Sequence, residues 1–290
     1  MKNIIFILLS SLALFSACKK DSETEATAAL SEVTFSVSAF SEEIVPFQKS
    51  GAGIASTADS LRKYTDSIFY FAYQDQTYNL VKTGVQAKTD PNYGTITEKL
   101  PPGSYVVYFI ATKGSINWLD ETNINTANIG PVSGVWKDLF ARSARFTVGS
   151  TPIQQTVNLS RQIGGIELKL LDSIPANASY LTLTTNNDAT RMSVTLNVHS
   201  YGPMSQTFSL QPHIGKTNTR FFLYSYNREG SLEIKAYDAS HQLIAQKSVA
   251  VNAFTNGISY VSGRLFTPNN VSFHITVDPV WNTPRTPITF

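Results

Sequence analysis

From Val33 onward, apolar and polar residues alternate with a period of two. Val33, Phe35, Val37 and Ala39 alternate with Thr34, Ser36 and Ser38, and the same pattern recurs at Ile166–Leu170, Val194–Val198 and Val271–Val277. Successive side chains of an extended chain point to opposite faces, so this alternation predicts strands with one face buried and one in water. Runs rich in β-branched and aromatic residues predict further strands at Ile68–Tyr73, Tyr105–Ala111, Ser143–Val148, Thr156–Leu159, Tyr180–Thr184, Thr207–Leu210, Arg220–Tyr226, Leu232–Tyr237, Leu243–Val251 and Ile258–Leu265. Gly, Pro, Asn and Asp punctuate them. Only Thr57–Lys63 suggests a turn of helix. Leu100-Pro101-Pro102-Gly103-Ser104-Tyr105 predicts a type II turn, with Pro102 presetting φ and Gly103 supplying a positive one, followed by a central strand. The polar, Gly- and Pro-punctuated Asn117–Trp136 is expected to be a long connection.

Many short strands without a helical period indicate an all-β chain built as two tandem antiparallel β-sandwiches. A boundary near Leu159–Gly165 divides the chain into 31–160 and 161–290, in keeping with a length of 290 residues.

The N-terminus has a different pattern. Lys2 precedes an apolar run from Ile4 to Phe15, too short for the roughly 20 residues that span a bilayer, so it reads as the core of a signal peptide. Leu14-Phe15-Ser16-Ala17-Cys18 resembles a bacterial lipobox, with small residues at the two positions before the cysteine. This predicts a signal peptide over 1–17 and lipidation at Cys18, where several acyl chains give a stable membrane anchor. An ordinary secretory signal and an uncleaved anchor are the alternatives. The Ser/Thr/Ala-rich segment 18–30, with Asp21, Glu23 and Glu25, is too polar to bury its backbone and is expected to be a flexible tether. It also resembles, imperfectly, the acidic surface-export signal of Bacteroidetes-type lipoproteins; a plain solvated spacer is the alternative.

Composition narrows the chemistry. One cysteine excludes an intramolecular disulfide framework and a thiol-based zinc site. Lys+Arg 23 against Asp+Glu 21, without a basic stripe, argues against nucleic acid as a partner. The histidines at 199, 213, 241 and 274 have no metal-site spacing, and His199 and His274 read as half-exposed strand residues. Gly51-Ala52-Gly53 lacks the third glycine and the strand–helix context of a dinucleotide site. No catalytic residue, metal site or cofactor is therefore assigned, and an enzyme is not expected. Trp118, Trp136 and Trp281 could form a sugar-stacking platform, with core or collar positions as the alternative. Asp59-Ser60-Leu61, Asp66-Ser67-Ile68 and Asp172-Ser173-Ile174 match the Asp-Ser/Thr-aliphatic pattern of periplasmic O-glycosylation in Bacteroidetes-type bacteria, which makes Ser60, Ser67 and Ser173 candidate acceptors.

The order of these features resembles the fimbrillin-associated anchor and accessory lipoproteins of Bacteroidetes-type (type V) pili. The resemblance runs from the lipobox through Val33–Phe40, Ser67–Tyr73 and the Leu100–Tyr105 turn to Asp138-Leu139-Phe140 and Ala144–Val148. It is most specific at Gln155–Leu168, where Val157-Asn158-Leu159-Ser160-Arg161 is similar to the valine-x-leucine-x-arginine segment joining that family's two domains. The resemblance implies two transthyretin-like sandwiches, outer-membrane attachment through Cys18 with exposure at the cell surface, and fimbrial shaft or accessory subunits as partners. Such pili polymerise by strand donation. The tail Val280–Phe290, with Trp281, Ile288 and Phe290, would be the segment held for a partner; a tail folded back on its own sandwich is the alternative. A surface glycan-binding lipoprotein of a polysaccharide-uptake system is the rival reading of the whole chain.

Overall fold

The computed structural model describes residues 29–39, 57–226, 229–267 and 273–278. The chain begins with β1 (Ser31–Ala39), α1 (Thr57–Tyr64), β2 (Ser67–Gln74), β3 (Leu80–Ala87), β4 (Thr95–Leu100) and β5 (Gly103–Thr112). A hairpin of β6 (Ile116–Asp120) and β7 (Asn128–Pro131) follows, then β8 (Leu139–Val148) and β9 (Ile153–Arg161). The remaining strands are β10 (Gly164–Leu170), β11 (Tyr180–Ser193), β12 (Val198–Ser209), β13 (Thr219–Ser225), β14 (Ser231–Tyr237), β15 (Leu243–Ala250), β16 (Ile258–Gly263) and β17 (His274–Asp278). The protein is all-β and is built from sandwiches, as the period of two implies.

Seven strands in the order β3-β2-β5-β8-β9-β1-β4 make the first sandwich. β8 and β9 pair only at Phe140–Arg161 and Ala141–Ser160, and there the ribbon folds over into two layers. The alternating residues of β1 (Val33, Phe35, Val37) and Ile96 and Leu100 of β4 meet Tyr70 of β2, Val107 and Phe109 of β5 and Phe140 of β8 in one core. Phe35 sets its ring edge-on to Phe109 and Phe146, at centroid distances of 5.1 and 5.3 Å. Leu61 of α1 is buried in the same core.

The second sandwich packs the sheet β13-β10-β16-β17 against β15-β14-β11, with β12 on the free side of β11. Ile166, Leu168 and Leu170 of β10 and Val261 of β16 face Leu181 and Leu183 of β11 and Leu232, Ile234 and Ala236 of β14. Neither sandwich is purely antiparallel. β1 runs parallel to β9, and β10 runs parallel to β16. Strands distant in sequence are thereby zipped together in each half, which an alternation pattern cannot reveal.

Three local expectations are corrected. Asn117–Trp136 is not an unstructured connection: it contains β7 and most of β6, and β7 pairs with the end of β11 through Met192–Ile129 and Ser193–Asn128. A hairpin from the first half thus extends a sheet of the second. The Leu100–Tyr105 corner carries the chain from β4 in one layer to β5 in the other, and the φ of Gly103 is 157°, near extended rather than the roughly +80° of a type II turn. The Tyr105 hydroxyl holds the corner by donating to the Pro101 carbonyl at 2.8 Å. The chain from Val194 to Asn197 is a turn, closed by Ser193 N–H on the Asn197 carbonyl and Leu196 N–H on the Ser193 carbonyl, both at 2.8 Å, and only Val198 enters a strand. Its apolar residues alternate because the tip is pressed against the other sandwich, not because it lies in a sheet.

That contact is a third core. Phe71, Tyr73, Val106, Ile110 and Leu139, on the outer face of the β2-β5-β8 sheet, pack with Ile129 and Trp136 against Ala189, Met192 and Val194. β2 and β5 are therefore buried on both faces, which is why Tyr105–Ile110 reads as a continuous apolar run rather than an alternating one. An interface this apolar disfavours independent motion of the two halves.

Candidate functional site

The joint between the sandwiches carries a buried ion pair. Val157 and Leu159 of β9 point into the first core, and two residues on, Arg161 places its guanidinium over the Phe140 ring at 4.8 Å. Arg161 Nε and Nη2 donate to the two carboxylate oxygens of Asp138 at 2.8 and 3.0 Å, and Nη1 donates to Asn256 Oδ1 at 3.0 Å. Both side chains are almost fully buried. Burial pushes the Asp138 carboxyl up, while the hydrogen bonds and charge of Arg161 oppose that shift. The arginine of the valine-x-leucine-x-arginine segment thus ties β9 to the start of β8 and to the loop before β16. Gly164, three residues on, has no room for a side chain: a Cβ there would lie 2.5 Å from the Phe254 carbonyl oxygen.

The sequence-predicted site residues do not converge. Cys18, Trp281, Ile288 and Phe290 lie outside the described residues. Ser60 lies in α1, and Ser67 is the half-buried first residue of β2. Ser173 is exposed just after β10, beside an Asp172 that accepts the N–H groups of Leu265, Phe266 and Thr267 at 3.2, 2.6 and 2.9 Å. The aspartate of that triplet therefore clamps a loop. Trp136 is buried and donates its indole N–H to the Ala189 carbonyl at 2.6 Å. Trp118 is half-buried against Phe69 and Phe71, with ring centroids 5.4 and 4.1 Å away. These two tryptophans join the halves and offer no sugar-stacking platform, because the large apolar faces that sugar rings would need are spent on the third core. Among the described residues no three His, Cys, Asp or Glu side chains are grouped to hold a metal ion, and no helix is long and apolar enough to cross a membrane.

Two surface features take their setting only from the tertiary structure. The first is β17, the edge strand beside β16, which pairs from Ser262–His274 to Ile258–Asp278. His274, Ile275, Thr276 and Val277 are all exposed, so this strand is held mainly by backbone hydrogen bonds and by Phe273, whose ring covers Gly263. The alternation at Val271–Val277 predicted one buried face, which an edge strand beyond the rim of the core does not have. The second is an open pocket of about 370 Å³ beside the turn joining β11 and β12. Behind it Asp188 is fully buried at a bulge in β11. Its carboxylate accepts from Ser225 Oγ at 2.7 Å, Thr185 Oγ1 at 2.9 Å, and the N–H groups of Tyr226 and Ala189 at 2.8 and 2.9 Å. Burial pushes this carboxyl up, and the four hydrogen bonds oppose the shift.

No family profile and no curated protein sequence matches the chain. Solved structures do. A fimbrial anchor protein of Porphyromonas gingivalis superposes with a TM-score of 0.50 at 12% identity, over 86% of this chain and 97% of that one. The fold is that of the Bacteroidetes fimbrial accessory proteins. A candidate adhesin of Bacteroides ovatus matches with a TM-score of 0.52 at 11% identity, over 84% of this chain and 96% of that one. A candidate polysaccharide-binding protein of Bacteroides thetaiotaomicron matches with 0.51 at 8% identity, over 81% and 92%. These likenesses of fold run over most of each chain at 8–12% sequence identity.

Proposed function

We propose that the chain is a fimbrial anchor or accessory subunit at the cell surface. It is a lipoprotein attached to the outer membrane through Cys18, with a tether over 18–30 and domains over 31–160 and 161–290. It joins fibre subunits by β-strand complementation. The observation that carries this reading is the end-to-end likeness to a fimbrial anchor protein. The exposed edge strand β17 adds a physical route. A strand held mainly by backbone bonds at a sheet edge, continuing into the 280–290 segment with Trp281, Ile288 and Phe290, can exchange or extend its pairing onto another chain with little loss of buried apolar surface.

Two experiments test it. Deleting 280–290 abolishes co-purification with fibre subunits; retained co-purification by a folded protein refutes the donor role. Cys18→Ala releases the protein from the membrane fraction; retention there refutes the lipid anchor. A glycan at Ser60, Ser67 or Ser173 adds a discrete saccharide mass to the intact protein, and a mass equal to the lipidated polypeptide alone removes it. The rival reading as a glycan-uptake lipoprotein has the likeness to a candidate polysaccharide-binding protein in its favour, but Trp136 is buried and Trp118 packs against Phe69 and Phe71.

A further inference from the structure

We propose that Asn256 is a self-modification site, its side-chain amide converted to a carboxylate at a rate set by opening of the joint that Arg161 holds. Asn256-Gly257 is the one Asn-Gly pair in the sequence, and it lies in the loop between β15 and β16.

The reaction is intramolecular. The backbone nitrogen of Gly257 loses its proton and bonds to Asn256 Cγ; the bond from Cγ to the side-chain nitrogen breaks, and ammonia leaves with that proton. Water then opens the cyclic imide at either carbonyl. One opening gives aspartate, and the other gives isoaspartate, in which the main chain runs through Cβ. Glycine on the C-terminal side favours the attack, because a residue without Cβ leaves its nitrogen uncrowded and its backbone free to turn.

The fold withholds both reactants. The Gly257 N–H donates to the Phe254 carbonyl at 2.9 Å, so the nucleophile is already engaged. Asn256 Oδ1 accepts from Arg161 Nη1 at 3.0 Å, so the amide turns toward that nitrogen only by giving up a charge-assisted bond. The main chain on either side is fixed as well: the Asn256 N–H donates to the Ile163 carbonyl at 3.0 Å, and the Gly257 carbonyl accepts the Gly165 N–H at 2.9 Å. Phe254 is seated on Gly164, which has no room for a side chain. Arg161 and residues 163–165 all belong to the segment that joins the two sandwiches. The contacts that close the joint are therefore the contacts that hold the reactants apart.

The same geometry explains why a labile residue occupies this position. Asn256 has a φ of 56°, left-handed backbone that asparagine tolerates better than most residues. Glycine would suit that backbone but would offer Arg161 no acceptor. Aspartate would bring a second carboxylate to a guanidinium already paired with Asp138.

Modification is one-way. Aspartate at 256 competes with Asp138 for Arg161. Isoaspartate adds a backbone atom between the N–H bonded to Ile163 and the carbonyl bonded to Gly165, where the parallel pairing of β10 with β16 begins at Gly165–Ile258. Each opening that lasts long enough for the imide to form thus leaves a permanent mark at the joint. The chemistry belongs to the single chain and does not depend on fibre assembly.

The test follows the full-length protein in mildly alkaline buffer, sampled over time and digested with trypsin. The peptide Ser248–Arg264 reports the mass gain of amide-to-acid conversion, and its fragment spectra separate residue 256 from Asn252. The parent chain unfolded in guanidinium chloride sets the rate of the exposed pair. The folded parent is expected to react at least about tenfold more slowly than that, and folded Arg161→Ala at least about tenfold faster than the folded parent. Circular dichroism confirms the fold of the variant; should Arg161→Ala not fold, Arg161→Lys, which keeps the cation but loses the planar fork, takes its place. Phe35→Leu, which weakens the first core away from the loop, is the control for global unfolding. A folded parent that reacts as fast as the unfolded chain, a folded Arg161 variant that reacts no faster than the parent, or an equal acceleration by Phe35→Leu overturns the proposal.

Discussion

Replacing Arg161 by Ala removes three charge-assisted hydrogen bonds and a cation stacked on Phe140, and strands Asp138 in a site where only 6% of its side chain is exposed. Breaking a buried pair from one side costs about 3–5 kcal/mol, most of it the penalty of the charge left behind. The double replacement Arg161→Met with Asp138→Leu leaves no buried charge and should cost far less than the sum of the single changes, giving a large coupling energy. Acidity distinguishes this account from simple loss of packing. Without Arg161 only the Leu139 N–H and the charge of Lys113 oppose the burial that already raises the Asp138 pKa, so the folded value climbs further above the unfolded value of about 3.9. A raised carboxyl destabilises the fold above its folded pKa, and that loss is recovered as the pH falls through the folded pKa toward about 4. The deficit of Arg161→Ala should therefore shrink on acidification from pH 7 to pH 5. Guanidinium unfolding followed by circular dichroism measures it. A deficit below about 1 kcal/mol at pH 7, or one that grows on acidification, would refute the reasoning.

Three further outcomes are expected. Trp136→Phe leaves the buried Ala189 carbonyl without its donor and opens a void in the third core, so it should cost about 2–3 kcal/mol, read as a lowered thermal midpoint. A methyl group at Gly263 would sit 2.5 Å from the Phe273 ring, so Gly263→Ala should expel that ring and raise amide exchange in β17 by about tenfold or more while β10 stays protected; unchanged exchange would show that the ring does not hold the strand. Asp188→Asn keeps the carbonyl oxygen for the two N–H donors and lets the hydroxyls of Thr185 and Ser225 turn to accept, but it cannot titrate. Because burial raises the Asp188 pKa, the parent protein should gain stability relative to Asp188→Asn as the pH falls from 7 to 5, as paired unfolding curves would report.

The sequence by itself determined the class of structure and most of the strands. Alternation at β1 and β10 predicts which residues enter a core, because a half-buried strand must alternate. The unbroken apolar run of β5 likewise announces a strand covered on both sides, although not by what. Arg161 and Asp138 could be picked out as members of motifs, but not as partners, since 23 residues of chain separate them. Only the tertiary structure decided how the halves are joined. The β6–β7 hairpin looks like a loop in sequence because its strands are short and polar-flanked; it becomes sheet when the end of β11 supplies its hydrogen-bond partners. The turn from Val194 to Asn197 looks like a strand because its apolar spacing answers to the opposite sandwich. The pocket beside it brings together residues from 187 to 229 that no local pattern connects. Periodicity records which residues are covered. Which chain segment covers them depends on long-range pairing, and that is where this molecule places its joint, its edge strand and its pocket.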